Sequence, residues 1–217
     1  MTTPDAQNPR ERYRAQVRTE IKGHAWEQIA TAGVSALSLN AIAKRMGMSG
    51  PALYRYFASR DDLITELVRD AYRSLADTLA TASAAGAHPA GLAHALRDWA
   101  LTDPQRYLLI YGTPVPGYHA PADITGISDR IMTLLLDAWA GQTPDSAATP
   151  FDAHLADHRE WAGAHPGPPL VLHRALTFWT RLHGVLSLEL AGHFTGMGFD
   201  PALLYAAEVG DLLAPGP

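Results

Sequence analysis

The sequence predicts an all-α fold in two domains. Apolar residues recur at three- and four-residue steps through most of the 217 residues, and no stretch alternates apolar with polar residues as a half-buried strand does. Gly/Pro-rich connectors separate the periodic segments: GTPVPGYHAP, GQTPDSAATP, GAHPGPP and TGMGFDP all fall in the C-terminal part, as a helical domain with several corners requires. The expected division is residues 1–58, an N-terminal helix-turn-helix domain with a disordered tail over 1–9, and residues 59–217, a C-terminal helical domain.

Each element has its own reason. From about Arg10 to Thr31, Tyr13, Val17, Ile21, Ala25 and Ile29 fall on one stripe, and Gly33 stops the helix. Residues 38–57, SLNAIAKRMGMSGPALYRYF, then read as two short helices meeting at Gly47. Ser38 caps the first, Ile42 and Met46 give it an apolar face, and the small Ala43 lets the second helix cross close by. Gly47 supplies the positive φ that ends one helix and turns sharply into the next. Ser49 caps the second helix, Pro51 sits in its first turn, and Leu53 and Phe57 turn it inward. Ser59 caps a longer helix with Asp61 and Asp62 in its first turn, where carboxylates suit the dipole, and with Leu63, Leu67, Leu75 and Leu79 along it. Further helices are expected over Ala90 to Leu101, Pro104 to Tyr111, Ala122 to Ala140, Phe151 to Ala162, Leu170 to Phe194 and Pro201 to Leu213.

Charge is split along the chain. Residues 1–60 hold nine Lys or Arg and four acids, net +5; of the 17 basic and 22 acidic residues in total, 8 and 18 remain for residues 61–217, net −10. A basic head attracts phosphate and an acidic body stays off the polymer, so nucleic-acid binding is the leading class. The second short helix leaves tyrosines and an arginine facing outward with small residues at its start, which suits a DNA major groove. Ser49, Gly50, Pro51, Ala52 and Arg55 are the candidates nearest base edges, with the Arg55 fork suited to guanine O6 and N7. Ser38, Lys44, Tyr54, Tyr56 and Arg60 are the phosphate candidates. For Tyr54, packing against the first helix is the alternative. Arg12, Arg14 and Arg18 read either as further phosphate contacts or as a solvated basic face.

The C-terminal part is rich in aromatic residues: Trp99, Tyr107, Tyr111, Trp139, Phe151, Trp161, Phe178 and Trp179. They line an apolar pocket with a few polar anchors or form ordinary core; Trp99, Tyr107, Tyr111, Trp179 and His183 are the pocket candidates, with His183 alternatively a hydrogen-bonded core histidine. The helix after Pro169 is apolar over two adjacent stripes, as if buried against both its own core and a partner. Leu172, Leu176, Leu182 and Leu186, with Leu204 and Leu212 of the last helix, are the candidate dimer interface, with burial in one monomer core as the alternative. Glu189 falls close to the apolar stripe and calls for a partner, Arg181 or a residue of a second chain.

Other classes are less well served. His154 and His158 are spaced i, i+4, which can place two imidazoles on one metal, but HExxH is missing, and a polar helix face explains them as simply. Nucleophile elbow, P-loop and Rossmann glycine patterns are not found, so neither enzyme nor cofactor is expected. There is no cysteine, hence no disulfide or thiolate site. No apolar run is long enough to span a bilayer and the first residues lack a signal-peptide core, so a cytoplasmic protein without a membrane partner is expected.

Residues 10–63 resemble the DNA-binding domain of the TetR family of bacterial transcriptional regulators, through the arginine-rich first helix, AGVSALSLNAIAKRMGMSGPALYRYF and SRDDLI. The C-terminal part resembles a narrower subgroup with a Trp-His-Gly signature, here Trp179, His183 and Gly184, supported by DWALTDPQRYLLIYGTPVPGY. The resemblance implies a homodimer on a palindromic double-stranded DNA operator. It also implies a small-molecule effector in the C-terminal domain, with a hinge near Ser59 linking the two. A repressor released by a mostly apolar ligand is the expected function; a ligand-independent architectural DNA-binding protein is the alternative.

Overall fold

The computed structural model describes residues 8–115, 117–119, 121–141 and 148–214. These residues form ten α-helices and two short 3-10 turns, with no strand among them. The expected tail over 1–9 and the connector GQTPDSAATP lie mostly outside the described residues.

Two compact units are present: Met1–Arg69 with Pro114–His119, and Asp70–Thr113 with Ala120–Pro217. The first extends past the boundary expected at residue 58, because Leu63, Ile64, Leu67 and Val68 are buried core residues there. It contains α1 (Pro9–Ala32), α2 (Leu39–Arg45), α3 (Gly50–Tyr54) and the opening turns of α4 (Arg60–Ala84). Along α1, Val17, Ile21, Ala25 and Ile29 are buried at four-residue steps, as predicted. Tyr13 continues the same stripe on paper but is 65% exposed, because it lies one turn beyond the buried part of α1. Gly33 ends α1 at φ 76°. A 3-10 turn over Val34–Ala36, not expected from the sequence, follows it.

Ser38 caps α2, its hydroxyl accepting from the Ala41 N–H at 3.3 Å. Gly47 turns the chain at φ 66°, and the Met48 N–H closes the turn on the Ala43 carbonyl at 2.9 Å. Leu53 and Phe57 are fully buried, but α3 stops at Tyr54 instead of running to Phe57. The chain tightens there, the Tyr56 N–H donating to the Leu53 carbonyl at 2.8 Å in a three-residue step.

The second unit holds the rest of α4 with α5 (Pro89–Thr102), α6 (Pro104–Tyr111), α7 (Ala122–Ala140), α8 (Pro150–Asp157), α9 (Pro169–Leu190) and α10 (Pro201–Leu213). All but α7 among these six begin on proline, whose missing N–H costs little at the first helical position. Around α9 one core gathers Leu75, Leu79, Leu96, Tyr107, Leu135, Trp139, Phe178 and Tyr205. Two helices are shorter than expected. The helix over Phe151 to Ala162 breaks after Asp157 and resumes as a 3-10 turn over Glu160–Ala162; α9 ends at Leu190, where Gly192 takes φ 78°.

Of the candidate dimer leucines, Leu172, Leu182 and Leu186 are fully buried in the chain's own core, and Leu176, Leu204 and Leu212 pack half-buried against it. Within one chain, α5, α7, α8 and α10 all pack on α9. Glu189 meets neither expected partner: Arg97 of α5 holds it bidentately, at 2.5 and 2.9 Å, while Arg181 pairs with Glu208.

Candidate functional site

In the first unit, the arginines of α1 hold the end of α3. The last carbonyls of a helix have no partner within it. Arg18 donates to the Tyr56 carbonyl at 2.6 Å and Arg14 to the Arg55 carbonyl at 3.3 Å. The Arg18 guanidinium also lies 4.2 Å from the Phe57 ring centroid and 3.3 Å from Glu66. Arg18, half-buried, ties α1 to the end of α3, and Arg14 adds a longer contact there while staying exposed. Arg60 is used in the same way. It donates to the carbonyls of Leu37 at 3.2 Å and Val34 at 2.7 Å, closing the 3-10 turn onto the start of α4. Two of its five N–H groups are used inside the unit, and the side chain remains a third exposed.

Held so, the unit presents Lys44, Ser49, Pro51, Tyr54 and Arg55 exposed, with Gly50, Ala52 and Tyr56 half-buried among them. Tyr54 is 44% exposed. Arg55 caps α3 just beyond its last turn. Ser38 is half-buried; its hydroxyl accepts from the Ala41 N–H, and its own N–H donates to Gln28 at 2.9 Å.

In the second unit, all five pocket candidates join one aromatic cluster. The His183 ring centroid lies 4.0 Å from that of Trp179, 4.3 Å from Tyr111 and 5.5 Å from Tyr107, and Trp99 lies 6.5 Å from Tyr107. The Tyr107 hydroxyl sits within 3.0 Å of His183 Nδ1, 3.2 Å of the His183 carbonyl and 2.9 Å of the Ser187 hydroxyl. The Trp99 indole N–H donates to Ser74 at 3.1 Å. Burial pushes the Tyr107 hydroxyl up to about 12, against the lowering effect of Ser187, and pushes His183 down to about 3. Both are neutral at pH 7. Two buried polar atoms of the cluster, the Tyr111 hydroxyl and His183 Nε2, have no hydrogen-bond partner among the described residues.

Beside this cluster lies a cavity of about 260 Å³ lined by Tyr72, Tyr111, Ser128, Asp129, Ile131, Met132, Trp161 and Trp179. A second space of about 530 Å³ shares Asp129, Met132 and Trp161 with it and adds Glu160 and His165. Of the expected five, Tyr111 and Trp179 line the first cavity; Trp99, Tyr107 and His183 stand behind its wall. Tyr72, Ser128, Asp129 and Met132 were not anticipated. Nothing in their spacing marks them, since they come from the middle of α4 and α7 and meet only in three dimensions.

His154 and His158 do not form a two-nitrogen claw. Their rings stack at 4.0 Å, and His158, just past the end of α8, donates from Nδ1 to the His154 carbonyl at 3.0 Å.

Comparison with known proteins decides the family. Residues 23–67 match the family described as bacterial regulatory proteins, tetR family, and residues 90–212 match the tetracyclin repressor-like C-terminal domain. An HTH-type transcriptional regulator of Mycobacterium tuberculosis is 36% identical, the match covering 93% of this chain and 92% of that one. The chain belongs to the TetR family.

The crystal structure of the regulatory protein SCO4313 is 71% identical, superposes with a TM-score of 0.89 and covers 96% of this chain and 100% of its own. A regulatory protein in the tetR family from Rhodococcus RHA1, at 16% identity and a TM-score of 0.57 over 90% of this chain and 94% of its own, shares the fold. This protein is thus a TetR-family transcriptional regulator with a helix-turn-helix domain, and its relatives are named as regulators rather than enzymes. The C-terminal match carries the family, not the Trp-His-Gly subgroup. Among the described residues, no helix is long and apolar enough to cross a membrane.

Proposed function

We propose that this TetR-family chain is a homodimeric repressor that reads a palindromic operator and is released by a small, mostly apolar effector. The observation that carries the reading is the division of labour among the arginines. Arg14 and Arg18 hold the end of α3, while Arg55 and Lys44 stay exposed beside Pro51 and Tyr54. A rigid, outward-facing short helix with a forked donor suits base-edge contact, and Lys44 suits phosphate. Two heads reading successive grooves require half-sites about 34–36 Å apart.

The outward faces of α9 and α10 suit dimerisation. Gly184 and Leu188 on α9, with Leu203, Ala206, Ala207 and Gly210 on α10, are exposed, and small residues allow close helix approach. Leu203 is 70% exposed, a large apolar side chain left uncovered by its own chain. For release, α4 is the coupling element: it carries Arg60 and Leu63 at one end and the cavity residue Tyr72 further along.

The test is selection of bound sequences from a random duplex pool at physiological salt. One enriched palindrome with half-sites about a helical turn apart is expected. Salt-sensitive binding with no enriched sequence overturns operator reading in favour of an architectural role. With the operator in hand, Arg55→Ala relaxes preference at one base pair. Lys44→Ala weakens all duplexes alike and lowers the salt slope by about one.

A further inference from the structure

The cavity beside the aromatic cluster has a chemical character more specific than an apolar pocket. Tyr72, Tyr111, Trp161 and Trp179 supply four aromatic side chains to its lining. Tyr72 and Tyr111 meet edge to face at 78°, as do Tyr111 and Trp179, so the rings form walls at right angles instead of a closed stack. One charge belongs to the lining, the Asp129 carboxylate, exposed at the rim. The adjoining space shares Asp129 and adds a second carboxylate, Glu160. No Lys or Arg lines either space among the described residues, and the one imidazole there, His165, is bound through Nε2 to Asp137 at 3.2 Å.

We infer that the cavity binds an organic cation: an aromatic or polycyclic ammonium whose positive charge lies against the tyrosine and tryptophan faces and is balanced by Asp129. Ring faces carry negative potential and attract a desolvated cation, with tryptophan the strongest partner. An anionic ligand of the same shape meets the opposite field: aromatic faces, two carboxylates, and no cation in the lining to compensate for its lost hydration. The Tyr111 ring lines the cavity, while its hydroxyl is buried behind the wall. Behind it His183, neutral because it is buried, adds no competing positive charge. The inference rests on the effector reading above and narrows it to one chemical class.

The test uses three probes of one shape and different charge, naphthalenemethylammonium, naphthalenemethanol and naphthoate, titrated calorimetrically into the purified full chain without DNA at pH 7. The ammonium is expected to bind about tenfold more tightly than the alcohol, and the carboxylate more weakly than either. Asp129→Asn, a substitution at an exposed rim position, is expected to remove most of the ammonium's advantage and leave alcohol binding unchanged. Trp161→Leu is expected to weaken the ammonium about tenfold.

Equal or tighter binding of the alcohol or carboxylate overturns the proposal. So does ammonium binding indifferent to Asp129→Asn, or an absence of heat for all three probes. Operator affinity is then measured with the ammonium at saturation. Binding without release leaves the cation site standing and sinks the effector reading, so the two ideas fail separately.

Discussion

The two units of this regulator differ in where their polar groups are tied. In the head, long side chains reach backbone groups across the unit: Arg18 serves the Tyr56 carbonyl and Glu66, Arg60 serves Val34 and Leu37, and Gln28 serves the Ser38 N–H, while the Tyr118 hydroxyl stays buried without a partner among the described residues. In the second unit, the aromatic cluster leaves the Tyr111 hydroxyl and His183 Nε2 buried without partners. An unsatisfied buried group costs about 1–3 kcal/mol, and in the second unit two of them sit in one aromatic cluster.

The comparison can be broken by substitution. The largest expected effect is at Phe57, fully buried under the Arg18 guanidinium. Phe57→Ala should cost the head about 3–5 kcal/mol in denaturant unfolding and abolish operator binding. Retention of binding would mean the head is not held as described. Next is Arg18→Ala, which should cost about 2–3 kcal/mol and weaken all DNA sequences together; Arg18→Lys should not restore it, since an ammonium cannot serve carbonyl, carboxylate and ring at once. Full rescue by lysine would reduce Arg18 to a point charge.

The second unit is sharpened by pH. Burial depresses His183 to about 3 in the folded chain, whereas the unfolded chain titrates near 6.5. The unfolded state therefore binds the proton first. The stability linked to neutral His183 is fully present above pH 6.5 and is lost as pH falls towards 3, by on the order of 2 kcal/mol at pH 5. Thermal unfolding of the wild type between pH 7 and 5 should fall more steeply than that of His183→Gln; parallel profiles would mean that the ring is hydrated. The smallest effect expected is Tyr13→Ser, within about 0.5 kcal/mol, because the side chain is exposed despite its place on the α1 stripe.

What the sequence made legible is what local physics dictates. Gly47 at φ 66°, the Ser38 cap and the four-residue burial of Val17, Ile21, Ala25 and Ile29 all follow from neighbours within a few residues. The starts of α6 on Pro104 and α10 on Pro201 do too, while α5, α8 and α9 begin on the proline one residue before the expected start. The hydrogen bonds of Arg60 were not legible because its acceptors are backbone carbonyls 23 and 26 residues away, and a carbonyl has no sequence signature. The burial of Leu172, Leu182 and Leu186 in one chain was left open because amphipathic width reports burial and not against which chain. In the cavity, the sequence named Tyr111, Trp161 and Trp179 but missed Tyr72, and could not sort Tyr111 and Trp179, which line it, from Trp99 and Tyr107, which stand behind.

The Arg97–Glu189 pair has an evolutionary reading. Both side chains are largely buried, doubly hydrogen-bonded to each other, and the Arg97 guanidinium also lies 5.0 Å from the Tyr205 ring centroid. Losing either partner strands the other's charge, at about 3–5 kcal/mol, whereas exchanging both for well-packed apolar residues is close to neutral. Lineages descending from this regulator therefore have no easy single step at either position. The physics thus couples two positions 92 residues apart in the chain: a change at one is tolerated best with a change at the other.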